Sequence, residues 1–238
     1  MERDVMNQVT NAPPALPPNA SMLTRIWVAL NALRILKDDP ANPDYARALH
    51  ISLDDSTYAR LGRELRESPD VRRLLDERPT VPGDVDLETL ARLPAGTLGH
   101  EFAHYFRANG IQPFTYEYPV ESDGDYLYKH YRETHDIHHL ITRYGIDPTG
   151  ELELQAFYFG NLGLRHAALI ALLSFLYVLT QRGLGFKALR DHFRRLRAAY
   201  RRGKHSRNLL SVDYGELWTT PVSELTERLC QPARSSPA

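Results

Sequence analysis

One reversal of the chain between two helices constrains the fold more than any other feature of the sequence. Residues 125–144, DYLYKHYRETHDIHHLITRY, have the spacing of a long helix, and Gly145 is predicted to end it. Asp147 and Pro148 then form the N-cap and first-turn proline typical of a helix start. Because only a short loop separates the two helices, we expect an antiparallel helical hairpin.

The other periodic segments are also helical. The one stretch with strand-like alternation, residues 111–124, is short and interrupted by prolines. The sequence therefore predicts an all-α protein, a single multi-helix domain with the hairpin at its centre. We expect this domain to span residues 21–230, with a proline-rich N-terminal arm at 1–20 and a C-terminal tail at 231–238.

Capping and breaking signals set the expected helix boundaries. Ser21 is a candidate N-cap, Gly110 a C-terminal stop and Thr220–Pro221 a break. A break is also expected near residues 50–54, and the second helix of the hairpin is expected to continue, bent, to Thr180. The helices predicted outside the hairpin lie at 21–39, 42–68, 69–79, from about Asp86, at 98–109, at 185–205 and on both sides of Thr220–Pro221.

Bulk composition excludes several classes of protein. The 238 residues carry a net charge of −1 and one cysteine, Cys230, so no internal disulfide can form and no overall field attracts nucleic acid. The N-terminal residues lack the apolar run of a signal peptide and the arginine bias of a transit peptide. The longest apolar run, residues 167–180, is shorter than the ~20 residues of a spanning helix. It predicts a buried core helix or a helix that lies against a lipid.

The hairpin also carries a candidate metal site. With 3.6 residues per turn, His135 and His139 lie roughly 40° apart around the helix axis, and Asp136 lies on the same side. Glu151 follows the loop and should face His139 at a similar depth in the antiparallel partner. The alternative is a solvated, histidine-rich surface. His138 points to a neighbouring face and is expected to support the site or lie on the surface.

This His-Asp-His-Glu set suits several divalent metals. Two imidazole nitrogens and two carboxylates fit zinc, manganese, iron or cobalt and tolerate magnesium. A structural zinc site would more often use cysteines, and no thiolate is available near this set. We therefore expect an open, functional site with one divalent metal ion.

A second histidine motif competes with the first. His100, Glu101 and His104 match H-E-x-x-H, the helical zinc motif of metallopeptidases, in which the glutamate acts as general base. No convincing third ligand follows it closely. The alternative is an ordinary helix whose histidines are hydrogen-bonded or exposed.

The hairpin motif and its flanking segments resemble the Coq4 family of coenzyme Q (ubiquinone) biosynthesis proteins. The family's hallmark, H-D-x-x-H followed by eleven residues and a glutamate, is met by His135, Asp136, His139 and Glu151. The segments LPAGTLG, YRETHD and LLSVDYGELW occur in the family's order, and the resemblance spans roughly residues 21–229. The sequence departs from the family pattern at His138, where an aromatic or apolar residue is usual. That departure leaves open a fifth ligand or an altered site.

The resemblance implies an all-helical protein of ubiquinone synthesis that is attached peripherally to membranes. It implies zinc as the first choice of metal, and a role as organiser of a biosynthetic complex or in C1 decarboxylation of a prenylated aromatic acid. The H-E-x-x-H stretch then becomes a local coincidence, and a peptidase only a remote alternative. A scaffold that binds an isoprenoid or other lipid without catalysis is the main alternative to the enzyme.

This reading gives further residues a role. Arg132 lies one turn before Asp136 and could pair with the substrate carboxylate, although an ordinary surface arginine is the alternative. His138 could also contact the headgroup. The polyprenyl tail could lie against the apolar run, although core packing is the favoured explanation of that run and the two are compatible. The leucines predicted to line such a groove are Leu169, Leu172, Leu173 and Leu176.

Partners and location follow from the same reading. The arginine-rich residues 190–207 form a solvated face or a patch attracted to anionic lipid, and nucleic acid is not expected. Other quinone-biosynthesis proteins are expected partners, and a homodimer is allowed. We expect a cytoplasmic, peripherally membrane-associated bacterial protein, or one on the matrix face of the inner mitochondrial membrane if the chain is eukaryotic and processed.

Overall fold

The computed structural model describes residues 13, 16, 17, 19–39, 42–83, 85–180 and 185–230. They form two compact units, one up to Ser56 and one from Thr57 onward. The predicted tail and most of the predicted N-terminal arm lie outside the described residues. The helices are α1 Met22–Asp38, α2 Pro43–Arg66, α3 Pro69–Glu77, α4 Leu87–Ala91, α5 Leu98–Asn109, α6 Asp123–Thr142, α7 Pro148–Leu162, α8 Arg165–Thr180, α9 Phe186–His205 and α10 Val222–Cys230.

The prediction of an all-α protein is confirmed. The described residues contain no β-strand and one isolated bridge, between Thr97 and Pro221. Most predicted helices lie within a few residues of their expected positions. The break predicted near residues 50–54 is wrong, because α2 continues through it. Ser52 is buried there, and its hydroxyl donates to the carbonyl of Leu49 within the helix, so the polar side chain does not interrupt it.

The first unit contains α1 and the first part of α2. Ser21 caps α1 as predicted, because its side chain accepts a hydrogen bond from the backbone N–H of Thr24. Small residues, Val28, Ala29 and Ala32, form the buried face of α1. The opposite face is apolar and exposed at Met22, Leu23, Ile26, Trp27 and Leu30.

In the second unit, α6 is the central helix. Thirteen of its 20 residues are buried, including Tyr126, Tyr131 and Ile137. It packs against α5 and α10, and its first turn is fixed by a reciprocal capping box between Ser122 and Asp125. A helix buried to this extent holds its inward side chains in place, which matters because the candidate ligands lie on it.

The loop between α6 and α7 begins two residues earlier than the sequence predicts. Helix α6 ends at Thr142, and Arg143, not Gly145, takes the left-handed C-cap conformation with φ 62°. Asp147 caps α7 as predicted, accepting from the backbone N–H groups of Thr149 and Gly150. Gly150 lies directly on the backbone of Gly145, because a Cβ there would be 2.0 Å from the Gly145 carbonyl oxygen. Glycine at 150 therefore allows the loop to close.

Helix α7 is held against α9 by a close backbone contact. A Cβ on Gly160 would lie 2.1 Å from the Tyr200 carbonyl oxygen, and one on Gly203 would lie 2.1 Å from the Phe157 carbonyl oxygen. The amide of Asn161 extends this contact by donating to the carbonyl of Gly203 at 3.0 Å. This crossing fixes the position of α7 relative to α9 because neither backbone has room to shift inward.

Helix α8 differs from its prediction in two ways. It is separated from α7, which ends in a left-handed cap at Gly163, so the two do not form one bent helix. Core packing was also expected for the run 167–180, yet His166 and Ala167 are the residues of α8 that are buried. Leu172 and Leu176 are exposed. In the part of the chain that the structure describes, no helix combines the length and the hydropathy needed to cross a bilayer.

Helix α10, the last one that the structure describes, is bonded to the end of α6. Thr226 donates its hydroxyl to the carbonyl of Ile141 at 2.8 Å. Arg202 of α9 donates to the carbonyls of Thr142 at 2.6 Å and Cys230 at 3.0 Å. These bonds satisfy carbonyl groups that the end of a helix leaves without an internal partner.

Candidate metal centre

The antiparallel α6 and α7 bring three of the four predicted ligands together. His139 Nε2 lies 3.1 Å from Glu151 Oε1 and 3.2 Å from His135 Nε2. His135 Nε2 lies 3.7 Å from Glu151 Oε2. One ligand atom from each residue therefore falls within 4.8 Å of the other two. His139 is almost fully buried, whereas His135 and Glu151 are partly exposed and leave one side of the group open to solvent.

The hydrogen bonding of His139 determines which nitrogen faces this group. Its Nδ1 lies 3.0 Å from the carbonyl oxygen of Tyr144, which can only accept, so Nδ1 carries the proton. In the neutral ring, Nε2 is then an acceptor that points at a carboxylate oxygen, which is also an acceptor. Two acceptors at this distance require a proton or a cation between them. A backbone carbonyl on the far nitrogen is also the usual arrangement for a metal-ligating histidine.

Electrostatics show how the group behaves without a cation. Burial alone would raise the pKa of Glu151, but its hydrogen bonds with His135 and His139 lower that pKa to about 2. Burial alone would lower the pKa of His139, but the Glu151 carboxylate and the Tyr144 carbonyl outweigh it and raise that pKa above its ordinary value. The metal-free group is therefore a carboxylate beside a protonated imidazole over a wide pH range.

Metal affinity should accordingly depend on pH. A bound ion must displace the proton from His139, so affinity for Zn²⁺ should rise by about tenfold per pH unit until His139 is neutral, and then level off. Protonated His139 stabilises the metal-free fold below its ordinary pKa, and that contribution is lost as pH rises through the raised pKa. Calorimetric titrations between about pH 5.5 and 8.5 would measure this dependence, and a flat profile would contradict it.

Asp136, the fourth predicted ligand, lies outside the group of mutually close ligand atoms. Its Oδ1 accepts a hydrogen bond from the hydroxyl of Tyr105, at 3.1 Å. Tyr105 belongs to α5, and burial together with the nearby charges of Asp136 and Glu151 raises the pKa of its phenol, which stays protonated. The structure thus places Asp136 beside the group, held by a neutral donor.

His135 and His138 are joined through a tyrosine. The hydroxyl of Tyr158 lies 3.2 Å from His135 Nδ1 and 2.8 Å from His138 Nδ1. His138 is fully buried and therefore does not lie on the surface. Burial also holds its pKa well below the ordinary value, so the ring is neutral.

Arg132 lies on the same helix one turn before the ligands. Its guanidinium packs 4.6 Å from the ring centroid of Phe114 and is half-buried. Among the described residues it makes no hydrogen bond or ion pair. Its cation is therefore available to an anion from outside these residues.

The H-E-x-x-H residues are arranged differently. Glu101 accepts from the backbone N–H of Gly96 and contacts His100 Nδ1, each at 3.0 Å, so it caps the preceding turn. The rings of His100 and His104 are 4.2 Å apart between centroids. Among the described residues, these three do not belong to a group of close ligand atoms. The geometry favours the hairpin over this motif.

Two tyrosines beside the site were missed in the sequence. Tyr158 lies seven residues after Glu151 on α7, so helical periodicity places both on one face and could have identified it. Tyr105 comes from α5, which is distant in sequence from the hairpin, and no local pattern indicates its position.

Fold and site together define a class: an all-helical protein with two imidazoles and a carboxylate converging in a helical hairpin. Residues 19–231 match the sequence profile of the family described as coenzyme Q (ubiquinone) biosynthesis protein Coq4. The chain therefore belongs to the Coq4 family, and the resemblance seen in the motif is confirmed.

Individual relatives agree with this assignment. The mitochondrial ubiquinone biosynthesis protein COQ4 of Coprinopsis cinerea is 30% identical over 79% of this chain and 64% of its own length. That of Eremothecium gossypii is 36% identical over 66% of this chain and 49% of its own length. The chain thus spans about half to two thirds of the length of these curated relatives.

A solved structure supports the same fold. It is the crystal structure of a candidate ubiquinone biosynthesis protein from Nostoc punctiforme PCC 73102. That protein is 31% identical to this chain, and the two structures agree with a TM-score of 0.67 over 85% of this chain and 96% of the other.

Proposed function

We propose that this protein acts in ubiquinone biosynthesis and binds one divalent metal ion through His135, His139 and Glu151, with Asp136 beside the ion. The observation that carries the metal site is the convergence of three ligand atoms, with His139 Nε2 3.1 Å from Glu151 Oε1 and 3.2 Å from His135 Nε2. Zinc is the first candidate, and cobalt, iron, manganese and magnesium also suit nitrogen and oxygen ligands.

The proposed substrate is a prenylated aromatic acid. Arg132 is half-buried and unpaired among the described residues, so it can hold the substrate carboxylate with charge-assisted hydrogen bonds. The neutral hydroxyl of Tyr105 lies beside Asp136. His138 is too deeply buried to meet the headgroup directly. We therefore assign headgroup binding to Arg132.

The proposed reaction is loss of the C1 carboxyl group. The bond between C1 and the carboxylate breaks, CO₂ leaves, and the electron pair stays on the ring carbon, which then takes a proton. In the oxidative form, C1 gains a hydroxyl group from water instead, and dioxygen accepts the two electrons and two protons released and leaves as hydrogen peroxide. A bound divalent ion would supply Lewis-acid stabilisation of the negative charge that develops. Arg132 would contribute by orienting the carboxylate.

The polyprenyl tail has a candidate surface on α8. Leu172 and Leu176 are exposed, and Leu169 and Leu173 are half-buried on the same helix. Exposed leucines at this spacing offer an apolar stripe that an isoprenoid chain could cover. The same stripe favours a second candidate function, a lipid-binding scaffold of a quinone-biosynthesis complex that performs no chemistry.

Partners and location are proposed on the same basis. The relatives named above are mitochondrial ubiquinone biosynthesis proteins, and association with other proteins of that pathway is proposed for this chain. Arginines exposed on α9, among them Arg194, Arg195 and Arg197, would favour an anionic membrane surface. A homodimer is compatible with this arrangement.

The purified protein with added Co²⁺ or Zn²⁺ should release labelled CO₂ from a prenylated hydroxybenzoic acid that carries ¹³C in its carboxyl group. His135→Ala should remove this activity because it deletes a ligand. His100→Ala should retain it because His100 lies outside the ligand group. The two variants are matched, since each removes a partly exposed histidine from a helix.

The outcomes separate the alternatives. Loss of activity in His100→Ala together with full activity in His135→Ala would overturn the site assignment. Absence of CO₂ release from the metal-loaded protein, with restored ubiquinone synthesis in cells carrying His135→Ala, would favour the scaffold over the enzyme.

A further inference from the structure

The hydroxyl of Tyr158 lies between two imidazoles. It is 3.2 Å from His135 Nδ1 and 2.8 Å from His138 Nδ1, and the tyrosine is fully buried. A phenol has one hydrogen, so it can donate to one ring and must accept from the other. The proton positions on the two histidines are therefore linked through Tyr158.

His138 has one hydrogen-bond partner for its ring. Its Nδ1 meets Tyr158, whereas its Nε2 is buried without a partner among the described residues. The ring packs edge-on against Tyr158 and Tyr214, with centroids 5.6 Å away in both cases. Whatever polar role His138 has is therefore exerted through the Tyr158 hydroxyl.

We infer that Tyr158 is a positioning residue that accepts the Nδ1 proton of His135 and donates its own proton to His138, so that His135 Nε2 presents its lone pair to the metal. This inference rests on the proposed metal site and specifies how one of its ligands is held. His138 then carries its proton on Nε2. This gives the departure from the family pattern a function, because His138 is the acceptor that orients the tyrosine hydroxyl.

The opposite direction of the two hydrogen bonds through Tyr158 suits the metal-free protein. There His138 donates to Tyr158, Tyr158 donates to His135 Nδ1, and the proton of His135 on Nε2 points toward the carboxylate oxygen Oε2 of Glu151, 3.7 Å away. The change of orientation shifts hydrogens among the three side chains without adding or removing one. Metal binding should thus move the His138 proton from Nδ1 to Nε2.

Tyr158→Phe tests this role because it removes the hydroxyl and little else. We expect its affinity for Co²⁺ and Zn²⁺, measured by calorimetry, to fall by about 10- to 100-fold, the usual effect of losing the partner of a ligating histidine. The Co²⁺ absorption spectrum should change with it. Tyr126→Phe is the matched control because Tyr126 is also fully buried and its hydroxyl donates to the Pro79 carbonyl, away from the ligands.

A second measurement needs no variant. Nitrogen-15 spectra of the histidine rings in the wild-type protein should show His138 protonated on Nδ1 without metal and on Nε2 with Zn²⁺. An unchanged His138 tautomer, or a Tyr158→Phe affinity within twofold of Tyr126→Phe, would overturn the inference while leaving the metal site intact. No metal binding by the wild-type chain would overturn the metal site, and the inference with it.

Discussion

Replacing Glu151 with alanine is expected to weaken binding of Zn²⁺ and Co²⁺ by at least about 100-fold, or about 2.7 kcal/mol. Glu151 supplies the one carboxylate of the ligand group, and its oxygens lie 3.1 Å from His139 Nε2 and 3.7 Å from His135 Nε2. Two imidazoles would remain, without the negative charge that offsets the desolvation of a divalent ion. Calorimetric titration of the purified protein would measure the loss.

Glu153→Ala is the matched control for this variant. Glu153 lies on the same helix two residues later and contacts Arg195 at 3.9 Å, outside the ligand group. We expect its metal affinity to stay within about twofold of wild type. Equal affinities for the two alanine variants would show that Glu151 is not a ligand. If Glu151→Ala lost metal but still supported ubiquinone synthesis in cells, the metal site would not be required for that role.

Gly150→Ala is expected to destabilise the fold by about 3 kcal/mol or more and to weaken metal binding at the same time. The added Cβ would lie 2.0 Å from the Gly145 carbonyl oxygen and 2.5 Å from the Gly145 nitrogen. Backbone atoms cannot rotate away as a flexible side chain can, so the loop itself must open, which places the cost at the upper end for overpacking. Glu151 is the next residue and would move with the loop.

Thermal and urea unfolding of metal-free Gly150→Ala would measure its loss of stability. Titration with Zn²⁺ would measure its weaker metal binding. Thr149→Ala is the control, because Thr149 is exposed in the same turn and its side chain makes no hydrogen bond in the described structure. We expect it to remain within about 0.5 kcal/mol of wild type. A Gly150→Ala protein as stable as this control would mean that the loop is more adaptable than its backbone contact indicates.

The hairpin was predictable from sequence because its signals are local. Asp147 and Pro148 specify where α7 begins, and the length of the loop places Glu151 opposite His139. The exact end of α6 was not predictable, because Arg143 rather than a glycine takes the left-handed conformation. That choice depends on how the loop packs, and a propensity scale does not contain this information.

Features that depend on tertiary contacts were harder to predict. Asp136 is bonded to Tyr105, a residue of another helix, so its place beside the ligand group could not be read from the spacing of the motif. The run 167–180 is apolar enough for a core helix, yet most of it is not buried. Hydropathy indicates how much apolar surface a segment could bury. The packing of neighbouring helices decides how much of that surface is buried.

The bonds between α10 and the end of α6 mean that the last described helix stabilises the helix that carries His135 and His139. Thr226 and Arg202 together connect Ile141, Thr142 and Cys230, and Ile141 and Thr142 lie within one turn of His139. Proteolytic cleavage between α9 and α10 that released α10 would leave the Ile141 carbonyl without its hydroxyl donor and the base of the hairpin without support. Weaker Zn²⁺ binding by the cleaved protein would show that α10 supports the proposed metal site.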